Sequence, residues 1–316
     1  MICISLSEEF VRFGQLIKTD EGYSIGIVRK KNLSIPFTPK NITNPQLSSA
    51  LQQVFQEIRT DLPVPDRYVA IALPAEWFDL SRQEVDSGLS RENIEEALKW
   101  NATQRLGPVA DQKFIQHYLL QRQRGSGQEY LSVSYFKDLG KLFLNAAQPS
   151  GFNIHIMDVN ILSAASALER LEQIGSDEKW AVWLVGEQKH SLLVIDSGEF
   201  RQLVRFEFSD LENYTILSST SSDDIGEKVV AGINGIRSFE AERLTAVDRL
   251  YYYSHEVESE FFNMLLTYGL ENMKTIDPFE NHKPVDLYED DGYGIGAMCQ
   301  FIDLMGLMIR KMPGGV

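Results

Sequence analysis

The sequence predicts an α/β protein built twice over, with a small α+β subdomain inserted in its first lobe. Two β-meanders, one at the N-terminus and one after residue 179, each lead into helices, and between them lies a stretch whose strands and helices form a unit of their own. At 316 residues the chain can bury a core in each of two lobes and leave a cleft between them.

Ile2, Ile4 and Leu6 alternate with polar or small residues, the pattern resumes at Val11 and Phe13 after Ser7-Glu8-Glu9, and residues 23–28 repeat it. That is the period of an antiparallel meander. A connector rich in Pro and Asn over 32–45 leads to a helix over 46–59, where Leu47, Leu51, Val54, Phe55 and Ile58 share one face and Pro63 and Pro65 follow the end. Residues 68–73 form a nearly continuous apolar run closed by Pro74, the pattern of a strand buried on both faces.

Ser90 is placed as the N-cap of a second helix that runs to Gly107-Pro108. Strands over 113–121 and 130–135 flank the turn Arg124-Gly125-Ser126-Gly127, and a helix over 137–150 with a strand over 152–157 completes the unit. Residues 77–157 are therefore read as the inserted subdomain. A helix over 161–174 and a polar linker over 175–179 precede strands over 180–185, 191–196 and 201–208 and helices over 224–239 and 258–268. On this reading 1–76, 158–176 and 293–316 make the first lobe and 177–292 the second.

The 45 acidic against 30 basic residues give a formal charge of −15, which repels phosphate backbones and anionic lipid headgroups and argues against nucleic-acid binding. Cys3 and Cys299 are too few for a disulfide framework or a four-thiolate zinc site and suit a reducing compartment. The N-terminus lacks the pattern of a secretion signal, and the most membrane-like stretch, 293–309, carries Gln300 and Asp303 and falls short of the roughly 20 apolar residues a spanning helix needs. The expected location is cytoplasmic, with no direct membrane insertion.

His117, His155, His190, His255 and His282 form no i, i+4 pair and have no cysteine partner, so they are read as structural or surface residues and no metal is expected. Asp286, Glu289, Asp290 and Asp291 lack the alternating spacing and glycine of a calcium loop and read as a solvated acidic loop. Ile195-Asp196-Ser197-Gly198 falls at the second turn of the second meander, where Asp-Ser-Gly is ordinary hairpin chemistry, and no Gly-x-Ser-x-Gly elbow is present.

Taken in order, several segments carry a resemblance. ISLSEEFVRFGQL has the layout of a phosphate hairpin, with Val11-Arg12 in place of a Val-Lys-like pair; VAIALPAEWF and SRENIEEALKWNATQRLGP match a strand with a Pro turn and a Glu-Ala-rich helix. Ser150-Gly151-Phe152, Met157-Asp158-Val159 and AGINGIRSFEAERL follow at the expected places. The chain thereby resembles, nearly end to end, the PilM family, relatives of FtsA within the actin, heat-shock-70 and sugar-kinase fold; the cytoplasmic part of the type II secretion protein GspL is a related alternative. The resemblance implies an actin-like (ribonuclease H-like) duplicated fold.

Active members of that superfamily hold a triphosphate between two Asp-x-Gly turns, because glycine lets backbone N–H groups approach phosphate and the aspartates position hydrated magnesium. Here the resemblance places Ser5 at the first Asp, Ser7 at the Gly, and Glu8 and Glu9 on the phosphate turn. In the second hairpin Gly186 keeps the glycine, Leu184 takes the aspartate position, and Glu187, Gln188, Lys189 and His190 line the turn, while Ser254-His255-Glu256 replaces the Gly-Gly on the base side. Like charges at about 4 Å oppose each other by roughly 1 kcal/mol in water and severalfold more in a desolvated cleft, so this site is read as degenerate, with no catalytic residue and no cofactor. An active ATPase or small-molecule kinase, binding magnesium-ATP through divergent contacts, is the alternative.

The resemblance further implies a partner: the cytoplasmic tail of a PilN-like inner-membrane protein, bound in a groove between the first lobe and the insert, which would place the chain at the inner membrane through that partner. A cytoplasmic filament former that self-associates, as FtsA does, is the third reading. Trp77, Phe78 and Trp100 are the apolar residues chosen as anchors for such a tail.

Overall fold

The computed structural model describes residues 1–20, 22–124, 127–210, 213–238, 244–268, 271–287 and 297–310. Strand β1 (Ile2–Leu6) is buried at every position, so it must be covered on both faces. It pairs antiparallel with β2 (Phe10–Thr19), which pairs with β3 (Gly22–Asn32), completing the expected meander. Helix α1 (Pro45–Asp61) begins with Pro at its first position and the Asn44 side chain accepting from the Gln46 N–H, and buries the predicted face. Strand β4 (Tyr68–Leu73) then runs parallel to β1.

Next comes the insert. It holds β5 (Asp79–Asp86), α2 (Arg91–Leu106), β6 (Lys113–Arg124) and β7 (Gly127–Phe136), with the strands in a separate sheet ordered β5-β7-β6. The Ser90 oxygen accepts from Asn93 N–H and Gly107 closes α2 at φ +60°, as the sequence predicted. Residues 125 and 126 of the predicted turn lie outside the described residues.

The boundary of the insert differs from the expected 77–157. Helix α3 (Lys137–Ala147) packs on α1, and β8 (Asn153–Val159) pairs parallel with β4, so both belong to the first lobe and the insert proper is Asp79–Phe136. Sequence order misleads here because α3 follows the insert without a break: β7 ends at Phe136 and α3 begins at Lys137.

Helix α4 (Asn160–Leu171) passes from the first lobe to the second and touches β8 and β4 as well as the second sheet. That sheet begins with β9 (Lys179–Val185), β10 (Lys189–Asp196) and β11 (Glu199–Phe208), an antiparallel meander extended by β12 (Tyr214–Ser219). After α5 (Ile225–Arg237), β13 (Arg249–Ser254) pairs parallel with β9, and beyond α6 (Glu260–Thr267) the short β14 (Met273–Lys274) pairs with β13. A two-residue β15 (Asp286–Leu287) joins the edge of the first sheet beside β3, and α7 (Ile302–Ile309) packs on α4, β1, β2 and β4.

The two sheets are ordered β15-β3-β2-β1-β4-β8 and β12-β11-β10-β9-β13-β14. Setting aside the edge additions β15 and β12, each is a meander followed by two parallel strands in the order 3-2-1-4-5. That repeated order makes the chain an actin-like, ribonuclease H-like duplication. Several features went beyond the sequence reading. β5 and β12 were not predicted, because DLSRQEVD is nearly all polar and YTILSS is a half-exposed edge. Asp286, assigned to a solvated loop of the second lobe, instead sits on the first sheet and pairs with Arg29 at 2.5 Å; residues 289–291 lie outside the described residues.

Candidate functional site

The lobes face each other across a cleft of about 760 Å³. Its walls include the β1–β2 turn at Ser7 and Glu8, the β9–β10 turn from Leu184 to Lys189, and His255 and Glu256 after β13. The structure thus gathers most of the residues that the sequence placed at the phosphate and base contacts. Ser5 and Ser254 are not among the lining residues: both are fully buried, and each is committed to an internal bond. Ser254 Oγ donates to the Val185 carbonyl at 2.8 Å and accepts from Glu256 N–H at 2.9 Å, tying β13 to β9 at the cleft edge. Gly186 is required by its own turn, since a Cβ there would meet the Lys189 carbonyl oxygen at 2.2 Å.

Beneath the cleft lies a charged cluster that sequence reasoning missed. Asp303 of α7, fully buried, accepts from Ser5 Oγ at 2.6 Å and faces His255 Nε2 at 2.8 Å. Arg12, equally buried, donates to Ser7 Oγ at 3.2 Å and to the His255 carbonyl at 3.4 Å. Burial alone would push the Asp303 carboxyl up, but His255, Arg12 and Ser5 more than offset this and hold it below the usual carboxylate range. Burial and the Arg12 charge together push the His255 imidazole down. Ser5, Arg12 and Asp303 come from the first lobe and His255 from the second, so a protein-only polar tie joins the lobes at the cleft floor. One signal was available: Asp303 is a lone acid in an apolar run, and a buried aspartate is nearly always paired.

The rim is acidic. Burial first, then the charges of Glu187, Glu9 and Glu8, push the Glu256 carboxyl up. Lys189 is exposed, and Lys40 and Arg205 also line the cleft, Arg205 at 3.5 Å from Glu76 across it. Among the described residues no group of three His, Cys, Asp or Glu side chains is placed to hold a metal ion. The Asp196-Ser197-Gly198 turn lies at the opposite end of β10 from the cleft, with Ser197 at φ +60° and Gly198 at φ +74°, the two-residue hairpin that the sequence suggested.

Beside the β9–β10 turn, a pocket of about 190 Å³ is lined by His190, Phe208, Phe261 and Met264 together with Arg237, whose guanidinium lies 3.9 Å over the Phe208 ring. His190 is stacked on Phe206 at 5.2 Å and lies 4.8 Å from Phe208. Burial, reinforced by Arg237, pushes its imidazole down to about 3. Its neutral form is therefore the folded form, and acid favours the unfolded chain, where the ring titrates near its ordinary value. The sign follows: stability contributed by neutral His190 is present above about pH 6.5 and declines as pH falls toward 3, by about 2–3 kcal/mol between pH 6.5 and 4.5. Thermal melts across that range should show His190→Phe losing less stability than the wild type. Equal losses would show that His190 does not carry the effect.

The anchors chosen from sequence do not converge. Trp77 is only 7% exposed and stacks on Phe37 at 4.4 Å, which makes it a core residue rather than a docking surface. Trp100 is 63% exposed on α2 and lines neither the cleft between the lobes nor the groove beside the insert. Phe78 does line a groove, of about 360 Å³, between the insert, the first lobe and the second. Tyr118 and Tyr135 of the insert form one wall, Ile156 and Leu162 of the first lobe another, and Leu193 and Phe200 of the second lobe a third. One end is charged: Asp158 pairs with Arg310 and accepts from Ser163 Oγ at 2.5 Å. β8 is the last strand of its sheet, so its outer backbone edge borders this groove.

No family model matches the chain, and no curated protein matches its sequence. Among solved structures, a chain of the PilM-PilN type IV pilus biogenesis complex superposes with a TM-score of 0.67 at 15% identity over 98% of both chains. The cytoplasmic domain of EpsL, an inner membrane component of the type II secretion system of Vibrio cholerae, gives 0.45 at 11% identity over 96% of this chain and 93% of that one. A Bacteroides thetaiotaomicron protein with an actin-like ATPase fold and unknown function gives 0.44 at 13% identity over 97% and 94%. No helix among the described residues is long and apolar enough to cross a membrane. The chain has a PilM-like actin fold.

Proposed function

We propose that the chain is a non-catalytic adaptor of a type IV pilus or related secretion assembly, whose groove takes the extended cytoplasmic tail of a PilN-like inner-membrane protein. The observation that carries this reading is the groove: an apolar trough bordered by the open edge of β8, in a chain whose fold matches one found in a PilM-PilN complex. An extended tail docking there gains backbone hydrogen bonds from the strand edge and buries a few apolar side chains against Phe78, Tyr118 and Tyr135. Through such a tail the protein is held at the cytoplasmic face of the inner membrane.

The nucleotide cleft plays no chemical part in this reading. Glu8, Glu187 and Glu256 line it where a triphosphate would need donors, and Asp303, a buried carboxylate beneath it, is already engaged by Ser5 and His255. Calorimetric titration tests both halves. A synthetic PilN-type tail should bind saturably, and Tyr118→Ala, at a 53% exposed position, should weaken it by about tenfold without unfolding the protein. Magnesium-ATP should give no saturable heat. Absence of tail binding by the folded wild type, or micromolar magnesium-ATP binding, would overturn the proposal in its respective half.

A further inference from the structure

The groove has walls from three units, but the insert is joined covalently only to the first lobe, at Phe78–Asp79 and Phe136–Lys137. Its contact with the second lobe is made where β6 approaches β11 and, through side chains and one backbone bond, around Arg82 of β5. The Arg82 guanidinium pairs with Glu129 of β7, lies 3.3 Å from Asp223, and donates to the Arg201 carbonyl at 3.0 Å; the Arg82 N–H donates to the Thr220 carbonyl at 3.2 Å. Arg201 of β11 in turn pairs with the same Asp223 oxygen at 2.9 Å. The four side chains are 9–27% exposed, and two arginines face two carboxylates, so the cluster is neutral only while all four are in place.

This arrangement has a geometric consequence for the groove. Arg201 follows Phe200, a groove residue of the second lobe, and Arg82 pairs across β5–β7 with Leu131, a groove residue of the insert. Moving the quartet apart moves those two walls apart. Buried pairs are little screened by salt, and removing one partner strands the others, so the contact behaves as made or broken rather than as a soft spring.

We infer that Arg82, Glu129, Asp223 and Arg201 form a latch that holds the insert against the second lobe and fixes the width of the groove. The latch is read from the contacts alone; its effect on a bound tail rests on the adaptor function proposed above. An occupant touching all three walls favours the latched arrangement, and by reciprocity the latch raises the occupant's affinity.

Hydrogen exchange on the full chain tests the latch without any ligand. Arg82→Met, matched in length but uncharged, should stay folded by circular dichroism yet exchange the amides of residues 127–133 and 199–203 about tenfold faster or more, with Arg82→Lys intermediate. Asp223→Asn, the most exposed of the four, is the milder variant should Arg82→Met not fold. Wild-type exchange rates in a folded Arg82→Met or Asp223→Asn protein would overturn the latch. With the tail peptide added, the same variants should bind about tenfold more weakly; unchanged affinity beside accelerated exchange would overturn the control of groove width. Failure of the wild type to bind any tail, with exchange still accelerated in the variants, would sink the adaptor reading and leave the latch standing.

Discussion

Replacing Asp303 by alanine is expected to cost about 3–5 kcal/mol of stability, because it strands a buried arginine rather than merely deleting a contact. Arg12 and Asp303 are both fully inaccessible; Asp303 accepts from Ser5 and faces His255, and its charge acts on Arg12 without a direct bond, so removal leaves Ser5 and His255 unpaired and the Arg12 charge uncompensated. Ser5→Ala removes only one neutral donor and should cost about 1 kcal/mol. The double variant Asp303→Leu with Arg12→Met removes both charges and should recover most of the loss, as buried pairs often exchange for apolar packing without penalty. Urea denaturation of the three variants separates these cases. The pH dependence has a definite sign: because the folded carboxyl is held low, its contribution is present above the ordinary carboxylate range and is lost as pH falls through the folded value. A loss under about 1 kcal/mol for Asp303→Ala would mean that the cluster is hydrated and that the lobes are not tied there.

Where the apolar period is strong, the fold was legible. β1, β4 and the β9–β11 meander are buried elements whose residues have no other use, and the sequence placed them to within a residue or two. β5 was invisible for the opposite reason. Its eight residues bury only Val85 fully, and the strand is specified by pairing with β7 and by Arg82, neither of which leaves a local trace. The misplaced boundary of the insert has the same origin: nothing within 137–159 says that its partners are α1 and β4 rather than β7.

The site was legible at its turns and illegible at its floor. Ser7, Glu8, Gly186, Lys189 and Glu256 could be placed together because each lies at a strand end whose position follows from the meander order. Arg12, His255 and Asp303 meet only because α7 returns across the first sheet from nearly 300 residues away, as the separation of 298 between Ser5 and Asp303 records. A tail anchor was misassigned for a related reason. Trp77 has the chemistry of a docking residue, but its partner Phe37 lies in the connector before α1, where no periodicity marks it as core.

Gly306 gives the second large expected effect. A Cβ at this position of α7 would lie 1.8 Å from the Ser163 backbone oxygen of α4, with the Ser163 carbonyl carbon at 2.5 Å, so neither a side-chain rotation nor a small shift relieves the clash. The two helices must separate, and Gly306→Ala should cost more than about 3 kcal/mol, beyond the usual range for added core volume because backbone has to move. Gly232 of α5 is the matched control. There the nearest atom is the far end of the Leu244 side chain at 2.4 Å, which can turn aside, and the helix gains from losing a glycine, so Gly232→Ala should stay within about 1 kcal/mol of wild type. The consequence reaches the groove, because Ser163 also holds Asp158, and Asp158 holds Arg310 at its charged end. A folded Gly306→Ala protein should therefore lose tail affinity as well as melting temperature, whereas Gly232→Ala should lose neither. Similar melting temperatures for the two variants would show that α4 and α7 do not approach as closely as the backbone contact requires.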